Sequence, residues 1–278
     1  MGLRMNSDKI ELQCLRLFIR GLPRVRGADY VIRRAWNFYT RKKRLPVLTS
    51  CFGFKMILDP MDRGEEQLLL GCQHYNYREI GFMKEFLREG DVFLDLGAHI
   101  GVFTLIASGA VGKTGKVVSL EPHPQSYHRL CKHLELNSIK NVVALNVAAS
   151  DKEEICIMGL TQEGQAGTNT LLFDELRPQE SSSTSVECYP LADILHRCDI
   201  SVIRGAKIDI EGYEYRVLKE FFSHTRKEFY PEFIIVEYIN FMKELAGGST
   251  VDLLLDQGYK IRWHDRAKRN FFVALEGR

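Results

Sequence analysis

The run Val92-Phe93-Leu94-Asp95-Leu96-Gly97-Ala98-His99-Ile100-Gly101 constrains the fold more than any other stretch of this chain. A segment of buried-strand character carries an acid near its end and passes directly into Gly-x-x-x-Gly, where a helix opens. Gly97 lets the backbone turn tightly and approach a ligand, and Gly101 lets the new helix pack closely. The opening of such a helix presents free N–H groups to a carboxylate or phosphate. The spacing is GxxxG rather than GxGxxG, and no GxxxxGK[ST] exists, which weakens the dinucleotide and P-loop readings.

Beyond this run, strand and helix signals alternate. Val92–Leu96, Val117–Leu120, Val142–Val147, Ile203–Ile210 and Phe233–Glu237 read as strands, and Ile100–Ser108, Gln125–Asn137 and Tyr213–Phe222 as helices. Tyr259–Trp263 and Phe271–Leu275 read as a closing hairpin. This alternation predicts a doubly wound, mostly parallel α/β sheet with buried strands. Upstream, Arg78–Arg88 has helical spacing, with Ile80, Met83, Phe86 and Leu87 inward and Gly90 as its stop. Val47 to Leu58 reads as a β-hairpin turning near Gly53. Gly159–Thr170 and the Ser181-Ser182-Ser183 region are polar and rich in small residues, and read as loops.

Residues 1–45 stand apart by charge. They hold twelve Lys or Arg against three acids, a balance of +9; since the whole chain carries +2, residues 46–278 carry −7. Ala28, Val31, Ile32, Ala35, Trp36 and Tyr39 fall on one helical stripe, residues 9–20 read as another helix, and Gly21-Leu22-Pro23 separates them. This basic helical extension is expected to act as a lid, to join two copies into a homodimer, or to recognise an anionic substrate, carrier or membrane surface. No uncharged apolar run approaches the ~18 residues of a membrane-spanning helix. Charged residues from Arg4 to Arg20 break up any signal-peptide core. The seven cysteines are scattered with no CxxC pair, so neither a disulfide framework nor a structural zinc site is expected, and the thiols suit a reducing cytoplasm.

Two further elements carry charge where charge is costly. Glu121, in Leu120-Glu121-Pro122, lies 20 residues past Gly101, where a carboxylate can accept both hydrogen bonds of a ribose 2′,3′-diol. Its structural alternative is a glutamate capping the next helix. The other element is Lys207-Ile208-Asp209-Ile210-Glu211-Gly212-Tyr213-Glu214. A side-chain period of two puts Lys207, Asp209 and Glu211 on one face. Three charges at the C-terminal end of a buried strand are unfavourable unless paired or used, and ligands of open α/β sheets lie just beyond such ends. The alternative here is an internal Lys–carboxylate pair that braces the turn.

On Gly90-Asp91 through Gly101, on Glu121-Pro122, on Asn141-Val142 through Ala149-Ser150-Asp151 and on Lys207 through Gly212, the chain resembles the FkbM-type methyltransferases. These are a class I group that uses S-adenosylmethionine, and the resemblance covers roughly residues 50–275. It implies a Rossmann-like, seven-stranded domain over residues 46–278. Lys-Ile-Asp-x-Glu-Gly is its most family-specific part. His99 stands where the family's Gly-Ala-Asn-Ile-Gly has Asn; both side chains donate and accept hydrogen bonds.

By this resemblance Asp95, Gly97, Ala98, His99 and Gly101 hold the methionine part of the cofactor, and Glu121, with Pro122, the ribose. Ala148 and Ala149, in the turn after the third strand, cradle adenine by backbone contact. Tyr75 and Tyr77 could cover the cofactor. Methyl transfer requires in-line approach to a sulfonium carbon, and a hydroxyl nucleophile gains from a base or a metal. Asp209 and Glu211 are the candidate bases, though Asp209 could instead bind the cofactor; His99 and His123 are further candidates. Glu237 could complete a Mg²⁺ site with Asp209 and Glu211, since oxygen ligands suit that ion. Lys207 is expected to neutralise the cluster, and Tyr213 and the Gly159–Thr170 loop to wall the substrate. His128, His133, His196, His224 and His264 read as ordinary helix or surface residues. The implied reaction is O-methylation of a sugar or natural-product hydroxyl. One rival is a nucleic-acid methyltransferase gripping phosphates with residues 1–45, disfavoured by the −7 balance of the rest and by the absence of an Asn/Asp-Pro-Pro-Tyr/Phe element. The other is a non-catalytic, cofactor-binding interaction protein.

Overall fold

The computed structural model describes Arg34 and residues 46–60, 62–160, 182–237, 247–265 and 270–276. The chain divides into two units, residues 1–77 with 163–165 and residues 78–162 with 166–278. The helices expected over residues 9–20 and 28–39, and the boundary at residue 45, lie outside the described residues, apart from Arg34, which is helical and exposed.

In the first unit, β1 (Val47–Cys51) and β2 (Phe54–Leu58) pair antiparallel. Phe52 and Gly53 between them are both left-handed, with φ 54° and 90°, the two-residue turn whose twist matches that of the strands. Helix α1 (Arg63–Gly71) packs on this hairpin, and Asp62 caps its start by accepting from the Gly64 and Glu65 amides.

The second unit contains β3 (Val92–Leu96), β4 (Lys116–Leu120), β5 (Val142–Leu145), β6 (Ala148–Ser150), β7 (Glu154–Leu160), β8 (Ser182–Pro190), β9 (Gly205–Ile208), β10 (Phe233–Glu237), β11 (Tyr259–Asp265) and β12 (Asn270–Leu275). Its helices are α2 (Tyr77–Phe86), which begins at the boundary, α3 (Val102–Val111), α4 (Pro124–Leu136), α5 (Leu191–Arg197), α6 (Glu214–His224) and α7 (Thr250–Asp256). The main sheet has seven strands in the order β11-β12-β10-β9-β3-β4-β5. Pairing is parallel from β10 through β5, and β12 runs antiparallel to both its neighbours. The doubly wound, mostly parallel sheet expected from the sequence is the one formed.

Alternation along the strands sorts the two faces. Leu94, Leu96, Ala206, Ile208, Ile234 and Val236 share one core with Leu191 and Ile194 of α5, Val217 and Phe221 of α6 and Leu254 of α7. On the other face Phe93, Gly205 and Phe233 form one cross-strand row. A Cβ on Gly205 would meet the Phe233 ring at 2.1 Å, so the bare backbone there makes room for that ring beside Phe93. Each such side chain contributes about 1.5–3 kcal/mol on burial. One row nearer the strand ends, the same face carries Asp95 beside Lys207. Strand order reverses between β3 and β9, and an open sheet has its ligand crevice beyond the carboxyl ends at such a switch point.

A second sheet, of order β6-β8-β7, is not announced by the sequence pattern. Ser182 and Ser183, expected within a loop, instead open β8, with Ser183 opposite Gly159 and Thr184 opposite Met158; Ser181 lies outside the described residues. Ladder pairing with β7 outweighs the turn tendency of the serines. Among the described residues no helix is long and apolar enough to cross a membrane.

Candidate active site

The turns after β3 and β9 meet at the switch point. Gly97 is left-handed (φ 79°), and a Cβ on it would stand 1.9 Å from the Asp209 carbonyl oxygen. Only glycine fits there. The Asp209 N–H donates to the Leu96 carbonyl at 3.0 Å, so the β3–β9 ladder runs up to the acid itself. The Gly97 and Ala98 amides donate to the Leu120 carbonyl at 3.0 and 2.9 Å, and the Gly101 amide to the Ala98 carbonyl at 2.8 Å. These three amides fasten the turn that leads into α3. Gly101 (φ 89°) would bring a Cβ within 2.4 Å of Leu130 Cδ1, so α3 starts tight against α4. His99 is left-handed (φ 51°), a region in which Asn, Asp and His are enriched among non-glycine residues. That shared tolerance lets His stand where Asn is usual.

Glu121 is held from both sides. The His99 N–H donates to its Oε2 at 2.7 Å and the His123 N–H to its Oε1 at 2.8 Å. Each carboxylate oxygen therefore accepts one amide and retains a further lone pair. Burial pushes its pKa up to about 7 against the pull of the two amides. Asn146 Nδ2 donates to the carbonyls of Glu121 and Pro122 at 2.8 and 2.9 Å, fixing the direction of this loop. The helix-capping role falls to His123 instead, whose Nδ1 accepts from the Ser126 amide at the start of α4. His123, offered as a candidate base, is thus a buried cap whose pKa burial lowers.

Asp95 is 1% exposed. Its Oδ2 accepts from Thr104 Oγ1 at 2.6 Å, and Thr104 Oγ1 lies 2.8 Å from Ser119 Oγ. Its Oδ1 has no hydrogen-bond partner among the described residues. Leaving a buried acceptor unsatisfied costs about 1–3 kcal/mol, more when it is charged. Burial raises the Asp95 pKa, and Lys207 pulls it back.

Lys207, also buried, donates from Nζ to Asp209 Oδ2 at 2.6 Å and sits 4.9 Å from the Phe103 ring centroid. Asp209, Glu211 and Glu237 each bring an oxygen within 4.8 Å of the others. Burial raises Asp209, but the Lys207 ammonium more than offsets it and holds the carboxyl below its usual range. Burial first, and then the Asp209 charge, push Glu211 up to about 8 and Glu237 up to about 9. Near neutral pH, Asp209 is the ionised member and the other two retain their protons. Three carboxyl oxygens at this separation also match the donor set of a hard cation such as Mg²⁺.

Other expected positions fall elsewhere. Ala148 and Ala149 lie in β6, buried and paired with Cys188 and Tyr189 of β8, rather than in a turn; the turn after β5 is Asn146-Val147. Tyr213, expected as a substrate wall, is 5% exposed and packs in the core. His133 is buried, not superficial, and its Nδ1 lies 2.8 Å from the Ile100 carbonyl, bracing the glycine turn. Tyr77 opens α2 and is half exposed; it and Tyr75 belong to the first unit. Gly159 and Leu160 close β7, and residues 161–170 lie outside the described residues. His128, His196, His224 and His264 are exposed, as expected.

The Methyltransferase FkbM domain matches residues 95–261, more than half of the chain. The chain belongs to the FkbM methyltransferase family. The match begins at Asp95 and includes Glu121, Asp209, Glu211 and Glu237. Two proteins of Methanocaldococcus jannaschii are similar to this FkbM chain over shorter stretches. One is tRNA(Phe) (4-demethylwyosine(37)-C(7)) aminocarboxypropyltransferase, 33% identical over 89 residues, or 30% of this chain and 35% of that protein. The other is tRNA (adenine(57)-N(1)/adenine(58)-N(1))-methyltransferase TrmI, 32% identical over 84 residues, or 28% and 30%. The chain thus spans about a third of the length of these curated relatives. Among solved structures, M. jannaschii TYW2 in complex with AdoMet is 15% identical, with 83% of this chain and 84% of that one covered at a TM-score of 0.41.

Thr104, Ser119, Asn146 and Glu214 are site residues that the sequence reading passes over. Thr104 and Ser119 do leave a trace, as hydroxyls inside otherwise apolar elements, since a buried hydroxyl must find a partner. Glu214 leaves one as an acid in the first turn of a helix.

Proposed function

We propose that this FkbM-family chain binds S-adenosylmethionine at the switch point and methylates a hydroxyl of a sugar or another small hydroxylated molecule. The observation that carries this reading is the placing of Glu121, each oxygen aligned by one amide, on the same sheet end as an ionised Asp209 paired with Lys207. The donor set fits an adenosyl cofactor. Glu121 has lone pairs left for the two hydroxyls of a ribose, and Asp95 Oδ1 is a buried acceptor suited to a cationic ammonium donor. The cofactor supplies an electrophilic methyl group on a sulfonium. Lys207 keeps Asp209 ionised, and Asp209 accepts the proton of the attacking hydroxyl. Glu237, as a neutral carboxyl, donates a hydrogen bond to Asp209, and Glu211, also neutral, donates to a neighbouring hydroxyl of the acceptor and holds it for in-line approach. Neutral donors of this kind suit an uncharged polyol.

The test is calorimetry with S-adenosylhomocysteine, followed by methyl-labelled cofactor with a panel of sugars, sugar acids and RNA. Label is expected on a small hydroxylated molecule, and Asp209→Asn is expected to abolish transfer while product binding survives. Full activity in that variant removes Asp209 as the base, and absence of binding by folded protein ends the cofactor reading. The tRNA-acting relatives motivate a second reading in which residues 1–45 grip phosphates. It predicts label in RNA and binding that weakens steeply with salt.

A further inference from the structure

The chain between β9 and α6 turns through two consecutive left-handed residues, Glu211 (φ 54°) and Gly212 (φ 99°). Glycine adopts this conformation freely, but glutamate does so under strain and needs support from its surroundings. That support comes from Glu214, the first residue of α6 and 3% exposed. Its Oε1 accepts from the Ile210 amide at 2.9 Å and from the Gly212 amide at 3.3 Å. One oxygen thereby ties down the N–H groups of Ile210 and Gly212, fixing the peptide plane that follows Glu211 and the one that leads into Ile210. From the opposite side, the Asp209 amide is anchored on the Leu96 carbonyl. Asp209 and Glu211 consequently project from a short segment clamped at both ends.

A glutamate serving only α6 would direct its carboxylate at that helix's own first turn. Glu214 accepts from its own amide there, and it also reaches back to the turn that precedes the helix. Buried, and in no ion pair among the described residues, it is also an unfavourable choice for stability alone.

We infer that Glu214 is a positioning residue, which sets the direction of Glu211 and so completes the Asp209–Glu211–Glu237 cluster. The role assigned to that cluster rests on the methyl-transfer reading above; the geometry of the turn does not.

The test compares the full chain with Glu214→Gln, Glu214→Ala and Glu214→Asp, using crystal structures with S-adenosylhomocysteine and backbone amide NMR. Gln keeps an acceptor oxygen at the same reach, so Glu211 is expected to stay left-handed and the Ile210 and Gly212 amide protons to keep their downfield shifts. In Ala, or in Asp with its shorter reach, those amides move upfield, Glu211 relaxes to negative φ and its carboxyl leaves Asp209 and Glu237. Glu211 unmoved in both Ala and Asp, or displaced as far in Gln as in Ala, overturns the proposal. Should Ala fail to fold, the contrast between Gln and Asp decides. Wild-type protein that binds no S-adenosylhomocysteine would defeat the cofactor reading alone, since the amide shifts and the φ of Glu211 are read without it.

Discussion

Glu121→Gln separates ligand binding from folding more cleanly than any other substitution at this site. In the native chain both carboxylate oxygens accept an amide, from His99 and from His123. The amide side chain of Gln has one acceptor oxygen, so its NH₂ group confronts one of those N–H donors. The proposed ribose contact loses more, because both of its hydrogen bonds are to a charged acceptor. Such bonds contribute about 1.5–3 kcal/mol each, against about 1 kcal/mol for neutral ones. With one bond weakened and the other facing a donor, the loss comes to about 2–4 kcal/mol, or roughly thirtyfold to several hundredfold in Kd. Folding suffers less, because Gln also relieves the burial that pushes Glu121 up to about 7. The variant should therefore melt close to wild type while binding S-adenosylhomocysteine far more weakly by calorimetry. The pH dependence adds a second check. The ligand's hydroxyls bind the ionised carboxylate, so wild-type affinity should fall as pH drops below about 7, level off above it, and be flat in the variant. A Gln variant with native affinity would refute the assignment of Glu121 to the ribose.

Three further outcomes follow from the geometry. Gly97→Ala places a methyl against the Asp209 carbonyl in a left-handed turn, and the nearest atoms it meets are backbone and cannot swing aside. A loss of about 3 kcal/mol or more is expected, seen as a much lower melting temperature or insoluble protein. Thr104→Val removes the hydroxyl donor to Asp95 Oδ2; a melting temperature lower by roughly 2–10 °C is expected, together with weaker cofactor binding, and no change in either would discount the Thr104–Asp95 bond. Glu211 and Glu237 have raised folded pKa values, about 8 and about 9, caused first by burial and then by Asp209. The folded chain holds these protons more tightly than the unfolded one, so the stability they contribute is complete below the unfolded carboxyl pKa and is lost as pH rises towards 9. Thermal melts should decline between pH 5 and 9, Glu237→Gln should flatten that decline, and a rise in melting temperature on adding Mg²⁺ at pH 8 would make the cluster a cation site.

What could be read from the sequence depended on how local the constraint is. Val92–Leu96, apolar but for Asp95, and Phe233–Glu237, apolar up to its last residue, were legible to the residue because glycine or charge bounds each run. Ile203–Ile210 shortens to Gly205–Ile208 because its last residues are committed to the Glu214-held turn. The β6-β8-β7 sheet stayed hidden: Ala148 pairs with Cys188, far along the chain, and β6 is too short to show a period. The same cause misplaces Ala148 and Ala149, because the choice between turn and strand is made by β8. Asp95, Glu121 and Asp209 stand out as charges at the ends of buried strands. Thr104, Ser119 and Glu214 become visible only through what their oxygens meet.

The charge count at the cluster supports the proposed role over the alternative that Lys207-Ile208-Asp209 leaves open. A brace built for stability would balance its charges, since an unpaired buried carboxylate is strongly destabilising. Here the ammonium of Lys207 is shared by Asp95 and Asp209, and Glu211, Glu214 and Glu237 add three more carboxyls nearby. Burial and mutual repulsion leave Glu211 and Glu237 protonated near neutral pH, and a cluster kept neutral by protons rather than by lysines can give and take protons at its surface. A purely structural pair would need none of that reserve, and replacing Glu237 by Gln would then change stability alone, with no effect on proton transfer from an acceptor hydroxyl.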